Sequence, residues 1–323
     1  MKNIKLQILS ESDLDKIHKA TLRVMSEAGI QVRLKEARDI FRANGCSVDD
    51  ETGIVRIPAQ VAEKALACAP PSFMLYDRDG EPAFELTSDG SVVRNLTFAT
   101  GTRIIEYEAP GKYSIRDSTL RDIEDMCAVV DKCDNINWIC SAPIAAMDKT
   151  TDPCVHLLET QAVMKNTKKP QLVEAIPDFV DELYEMQAIA RGKDIKDVIE
   201  KPYIVSGACP TSPLTIDANV CRQAIVGAKY DMPIMSLSCG MGGATTPIFL
   251  AGTLVTHNAE VLALIILAEL VKPGTKVVYG SSTNTFDFFN NSTPVGSPEL
   301  ALISAAVGEL AQYYKIPAVV AGT

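Results

Sequence analysis

The sequence predicts a parallel α/β barrel of the (β/α)8 type, with about six of the eight strands present, behind an N-terminal helical cap. Three observations carry this. Six short apolar runs, at 136–142, 171–175, 203–209, 233–238, 276–281 and 317–321, recur from residue 136 onward, and a helical stretch follows each of the first five. Short buried strands that alternate with helices pair in parallel through right-handed crossovers. Residues 1 to about 115 lack that rhythm and read as a cap, with a short hairpin, set apart from a barrel portion at 116–323. The third observation is size: 323 residues, 47% of them hydrophobic, are many for one ordinary domain but suit a barrel. Six strands would also fit an open doubly wound sheet, and periodicity alone does not choose between the two.

Taken in order, Ser12 is expected to cap a first helix whose inner face carries Leu14, Ile17, Thr21, Val24, Met25 and Ala28, with Gly29 as its stop. Leu34, Ala37, Ile40 and Phe41 mark a second helix ended by Gly45, and a third opens at Pro58 and ends before Pro70-Pro71. Residues 73–86, turning at Arg78-Asp79-Gly80, read as a hairpin, and a candidate strand at 92–99 precedes a turn at Ala109-Pro110-Gly111. Further on, Leu183, Met186 and Ile189 line one inter-strand helix, and Val220, Ala224, Ile225 and Ala228 another. The last helix is expected to start with Ser297 as cap and Pro298 in its first turn, and to bury Leu302, Ala305, Ala306, Leu310 and Tyr313. The run 317–321 then forms a sixth strand with no helix after it, which leaves the expected barrel open.

A net charge of −10, from 41 acidic and 31 basic residues, argues against nucleic-acid binding. The longest unbroken apolar run, Val261–Ala268 between Glu260 and Glu269, is too short to span a bilayer, and the first residues do not resemble a signal peptide. Nine scattered cysteines without a CxxC pair suit a reducing cytoplasm. His18, His156 and His257 lie too far apart for a sequence-local zinc site.

A set of markers recurs in order: Leu9-Ser10, Met25-Ser26-Glu27-Ala28-Gly29-Ile30, Ile57-Pro58, Thr211-Ser212-Pro213-Leu214 and Gly242-Gly243-Ala244-Thr245-Thr246-Pro247. Leu250-Ala251-Gly252-Thr253-Leu254, Asn258-Ala259-Glu260-Val261-Leu262, Lys272-Pro273-Gly274, Val278-Tyr279-Gly280-Ser281 and Gly296-Ser297-Pro298-Glu299 follow. In order and spacing, over residues 9–323, the chain resembles the trimethylamine–corrinoid methyltransferase family. The resemblance implies transfer of a methyl group from trimethylamine to the Co(I) corrinoid of a separate cognate protein. This chain would then bind no cofactor itself; its partners would be that corrinoid protein and a methylated amine, and a homo-oligomer is compatible with it. Members of the family continue beyond the strand that ends here at Ala321-Gly322-Thr323. In the pyrrolysine branch that residue follows this strand and is encoded by an in-frame amber codon. The expectation is therefore a pyrrolysine-branch enzyme cut at that position and inactive as 323 residues; the alternative is a fragment of other origin. A pyrrolysine-free enzyme acting on glycine betaine or another quaternary amine is the nearest rival. A lyase or aldolase would need a strand-end lysine or a metal cluster, and Lys276 opens its run rather than closing it.

Candidate site residues stand where runs end. Ser212 follows the third run, and Gly242 and Gly243 follow the fourth, either letting amides approach a ligand or only permitting a tight turn. His257 and Glu260, on the next helix, are candidates for proton handling, against the plainer alternative of a hydrogen-bonded core pair. Tyr279 and Phe286, with Phe288, Phe289 and the carboxylate of Asp287, suit an alkylammonium cation, though core packing explains single aromatics as well. Glu299 fits a helix-dipole role. Ser212, Gly242, Tyr279 and Thr323 are expected to share one mouth, with Glu260 and Asp287 near its wall.

Overall fold

The computed structural model describes residues 7–97, 101–140, 146–173 and 177–321. Six strands are laid down where the apolar runs predict them: β1 (Ile139–Cys140), β2 (Gln171–Val173), β3 (Ile204–Ala208), β4 (Ile234–Ser238), β5 (Val277–Ser281) and β6 (Ala318–Val320). The helices are α1 (Glu11–Arg23), α2 (Lys35–Ala43), α3 (Ala59–Leu66), α4 (Leu120–Asp131), α5 (Val155–Asn166), α6 (Val180–Arg191), α7 (Ile195–Glu200), α8 (Ala218–Lys229), α9 (Leu250–Val271) and α10 (Pro298–Tyr314).

The chain forms two compact units. One holds Met1–Phe73, Thr87–Ser91 and Gly207–Thr323; the other holds Met74–Leu86 and Val92–Ser206. Compactness thus groups α1–α3 with β4–β6, whereas the sequence expectation set residues 1 to about 115 apart. In the second unit β1, β2 and β3 run parallel in that order, with Gln171 level with both Ile139 and Ile204. In the first, β4, β5 and β6 run parallel, with Ser236 level with Tyr279 and Tyr279 with Ala318; the last residues of β3, Gly207 and Ala208, belong to this unit. In each unit strand order follows chain order without the reversal of a doubly wound sheet, which is how a barrel is built.

The core of the first unit is threaded by α9. Its turns are apolar on every side, and a helix of that kind is stable only when surrounded. By length and composition it could cross a membrane, but here α1, α2, α3, α8 and the strands pack against it and most of its side chains are buried.

Several local readings are corrected. The cap of α1 is Ser10, not Ser12: its hydroxyl accepts the Asp13 amide at 3.2 Å, while the Asp13 carboxylate accepts the Ser10 amide at 3.3 Å. A wider π-type turn, Val24–Ala28, then ends at Gly29, where φ is +86° and an added Cβ would lie 2.8 Å from the Val55 carbonyl oxygen, so no side chain is admitted. Residues 92–97 form no strand, Leu96 making only an isolated bridge to Trp138; 98 and 99 lie outside the described residues. The hairpin that follows pairs Arg103–Ala109 with Lys112–Asp117.

Two helices are rotated from their predicted faces. Ile189 is 80% exposed, because the Arg191 guanidinium, two residues on, is buried and donates to the carbonyls of Asp77, Arg78 and Lys201. Leu302 and Tyr313 are exposed on α10, which buries Leu300, Ile303, Ala306, Val307 and Leu310. There the Glu309 carboxylate accepts the amides of Ile8 and Leu9 at 2.7 and 2.9 Å and sets the rotation. The expected Ser297 cap, accepting the Leu300 amide, and Pro298 at the first position are both present.

Candidate functional site

Strand phase decides what lies on each face of the first unit's sheet. The Ser236 hydroxyl donates to the Val261 carbonyl and the Tyr279 hydroxyl to Asn258, both on α9, so Ser236, Ser238 and Tyr279 face that helix. With side chains alternating along a strand, Met235, Leu237, Cys239, Val278, Gly280 and Ser282 face away from it.

Glu260 is fully buried between α9 and the strand ends. Its Oε2 accepts the hydroxyls of Ser238 at 2.6 Å and Ser212 at 2.7 Å, and its Oε1 accepts the Leu214 amide at 2.9 Å. Burial pushes its carboxyl up from the usual range, and these hydrogen bonds work against that shift. The carboxylate therefore clamps the segment after β3 onto the end of β4. Leu214 sits at a positive φ of +50°, and Thr215 and Ile216, just beyond, pair in parallel with Gln31 and Val32. Glu260 turns into the layer between helix and sheet rather than toward an open mouth, which corrects the expected wall position.

His257 is likewise enclosed. Its Nδ1 lies 2.8 Å from the Thr283 hydroxyl, Nε2 has no hydrogen-bond partner, and burial drives the imidazole down to about 3, leaving it neutral. Thr283 also accepts the Gly240 amide at 3.1 Å. A side chain at Gly240 would collide with Thr246 and touch Ser212 and Thr283, so these groups meet at one point. His257 and Glu260 are therefore not a pair with each other; each bonds to a different strand end. Tyr279 is a core residue: its ring lies 5.5 Å from that of His257 and 6.3 Å from that of Tyr314, and its hydroxyl donates to Asn258 at 2.7 Å. Burial raises its phenol well above the ordinary range.

The glycine-rich segment is a turn whose amides are spent internally. Ala244, Thr245 and Thr246 donate to the Met241 carbonyl and Gly243 to that of Thr246, with Gly243 at φ +91°. Gly242 pairs with Thr285, and the Phe286 amide donates to the Gly242 carbonyl at 3.0 Å, so Gly242, Gly243 and Phe286 do come together. The Phe286 ring lies 5.0 Å from that of Phe288. Asp287 is only partly covered; Asn290, through its side-chain and main-chain donors, and the Phe289 amide hold its carboxyl below the usual range, and hence ionised. The structure thus gathers the predicted residues into two groups, Ser212–Glu260 with His257 and Tyr279 buried against α9, and Gly242–Gly243–Phe286–Asp287 on the strand-end loops. Thr323 lies outside the described residues.

Sequence reasoning passed over the opposite face. Cys209 and Cys239 are exposed just past β3 and β4, with Leu237, Ser282 and Val319 half-buried. The signal was the two-residue period: Ser236 and Ser238 on one face place Leu237 and Cys239 on the other.

Parallel strands in barrel order, with helices between them, define an α/β-barrel protein. The sequence matches the trimethylamine methyltransferase (MTTB) family over residues 1–323, and the chain belongs to that family. It is 41% identical over 324 residues to trimethylamine methyltransferase MttB2 of Methanosarcina mazei, covering 100% of this chain and 65% of that protein. The glycine betaine methyltransferase of Desulfitobacterium hafniense is 32% identical, over 97% of this chain and 64% of its own length. The chain thus spans about two thirds of the length of these curated relatives. The crystal structure of the Methanosarcina barkeri monomethylamine methyltransferase (MtmB) matches with a TM-score of 0.50 at 12% identity, over 95% of this chain and 67% of that one; the likeness is one of fold.

Proposed function

We propose that this chain serves methyl transfer from trimethylamine to the Co(I) corrinoid of a separate partner protein. The observation that carries the reading is the gradient of likeness: 41% identity to a relative named for trimethylamine against 32% to one named for glycine betaine. The corrinoid accepts the methyl group and belongs to the partner; this chain's task is to receive and orient the amine. Nitrogen leaves readily only while it carries positive charge, so the site must favour a cation through the transfer. Asp287, ionised, and the aromatic pair Phe286–Phe288 suit that need. Gly242 and Gly243 shape the turn that holds this loop. Ser212, Glu260 and His257 act behind it as positioning residues, since they are tied to strand ends rather than open to a ligand. Nine scattered cysteines without a CxxC pair suit a reducing, cytoplasmic setting.

The test uses the enzyme containing this chain, purified from the cells that make it, with a reduced corrinoid protein and either trimethylamine or glycine betaine. Methyl-Co(III) formation, followed by absorbance, is expected with trimethylamine. Transfer from glycine betaine alone, or from neither amine, overturns the reading.

A further inference from the structure

The hairpin Arg103–Asp117 leaves one of its faces uncovered. Arg103, Ile105 and Tyr107 lie directly opposite Asp117, Ile115 and Tyr113, and side chains so paired across an antiparallel ribbon share a face. The four apolar members are 62–69% exposed, and the Arg103 and Asp117 side chains 72% and 71%. The other face is engaged: Arg116 donates to Glu106 at 2.7 Å and, through two nitrogens, to Asp122 at the start of α4, and Ile104 is partly covered. A two-stranded ribbon is marginal on its own, and a row of isoleucine and tyrosine on its open side calls for a second layer.

We propose that this second layer is the same hairpin of another copy of the chain, stacked face to face about a two-fold axis parallel to the strands. Such an axis carries each residue onto the position of its cross-strand partner. Ile105 then meets the partner's Ile115, and Tyr107 meets the partner's Tyr113. At the open end the Arg103 guanidinium meets the partner's Asp117 carboxylate, and the reverse contact forms beside it. Charge as well as shape is self-complementary, as an isologous contact requires. Isoleucine pairs stack at the spacing of packed sheets, and tyrosine is among the residues favoured at interface centres. A face of six side chains is much smaller than the roughly 20–30 residues a side of a standard interface, so association at micromolar concentration is the expected strength.

Sedimentation velocity on the enzyme containing this chain, over a range of concentrations, tests this. The wild-type enzyme is expected to show a reversible concentration-dependent association through this face. Ile105→Asp abolishes it, and R103D or D117R alone raises the dissociation constant at least about tenfold, because like charges then face each other. Mixing R103D with D117R is decisive. Each variant has lost its own cross-strand ion pair, yet the mixed dimer sets opposite charges together at both contacts and is expected to re-form. Circular dichroism on each variant confirms an unchanged fold. A strictly monomeric wild type, a dimer indifferent to these substitutions, or a mixture that fails to associate overturns the proposal. The last two outcomes would mean that another surface or another partner takes this face.

Discussion

The Ser238 hydroxyl donates to the Glu260 carboxylate at 2.6 Å, joining the end of β4 to the middle of α9. Ser212 and the Leu214 amide add their bonds from the segment after β3. One buried carboxylate thus fixes the relative position of two strand ends.

Removing that carboxylate should cost more than removing its charge. Glu260→Ala leaves two hydroxyls and one amide without acceptors in a dry layer, each worth about 1–3 kcal/mol, for an expected loss of about 4 kcal/mol. Glu260→Gln keeps an acceptor oxygen and the volume, and the serine hydroxyls can rotate to meet its amide, so a loss of about 1–2 kcal/mol is expected. Urea unfolding midpoints measure both. Equal losses for the two variants would mean that packing alone holds this junction.

Stability should depend on pH through two buried groups of opposite sign. Burial pushes the Glu269 carboxyl up to about 7, one of its oxygens having no hydrogen-bond partner while the other accepts the Gly274 amide at 2.7 Å. The stability tied to its neutral form is complete below the unfolded value near 4.3 and is lost as pH rises toward 7. His257, held down to about 3, contributes in the other direction: its share is complete above about 6.5 and is lost as pH falls toward 3. Between about pH 4.5 and 6.5 the two partly cancel. In Glu269→Gln the cancellation is removed, so stability should climb more steeply over that window than in the wild type. Identical unfolding profiles from pH 4 to 8 would contradict the buried state of Glu269.

Two glycines in the same unit should respond oppositely to alanine. At Gly280 a Cβ would lie 2.8 Å from Leu237 Cβ and 2.9 Å from the Ser236 carbonyl, and neither can retreat without parting β4 from β5. Overpacking of this kind costs about 1–3 kcal/mol. Gly308, within α10, would meet nothing within 4 Å, and Gly308→Ala should stabilise by about 0.5–1 kcal/mol through helix propensity. Thermal unfolding of the two variants side by side checks the contrast.

The fold was legible where information is local. Each strand is a short apolar run fenced by turn residues, and the Ser297-Pro298 start of α10 announces itself. What failed was rotation about a helix axis. On α10 the apolar residues nearly encircle the helix, so Leu302 and Ile303 are equally plausible inward; on α6 the predicted stripe offered Ile189 as readily as Ala188. The choice is made by Glu309 reaching Ile8 and Leu9, and by Arg191 reaching Asp77, partners that no window of sequence contains. The site divides the same way. Ser212 and Glu260 are both readable as polar groups near strand ends, but 48 residues separate them, and only the strand phase shows that they meet on the helix side.

The functional reading itself is exposed to a test at Asp287. Its Oδ1 accepts the Phe289 amide at 2.9 Å and the Asn290 amide at 3.2 Å, and its Oδ2 accepts the Asn290 side chain at 2.6 Å. Asp287→Asn keeps an acceptor for both amides and so preserves the turn, while the negative charge disappears. If the loop receives a cationic amine, KM for trimethylamine should rise about two- to fivefold with kcat little changed, the size expected for a partly solvated charge contact. Raising ionic strength should raise the wild-type KM toward that of the variant, because salt screens the attraction in one and finds nothing to screen in the other. Phe286→Leu removes the aromatic face but leaves the charge, and its KM should keep the wild-type salt dependence. An unchanged KM in Asp287→Asn, with no difference in salt response, would leave Asp287 as a turn residue and move the cation's seat to another part of the strand-end loops.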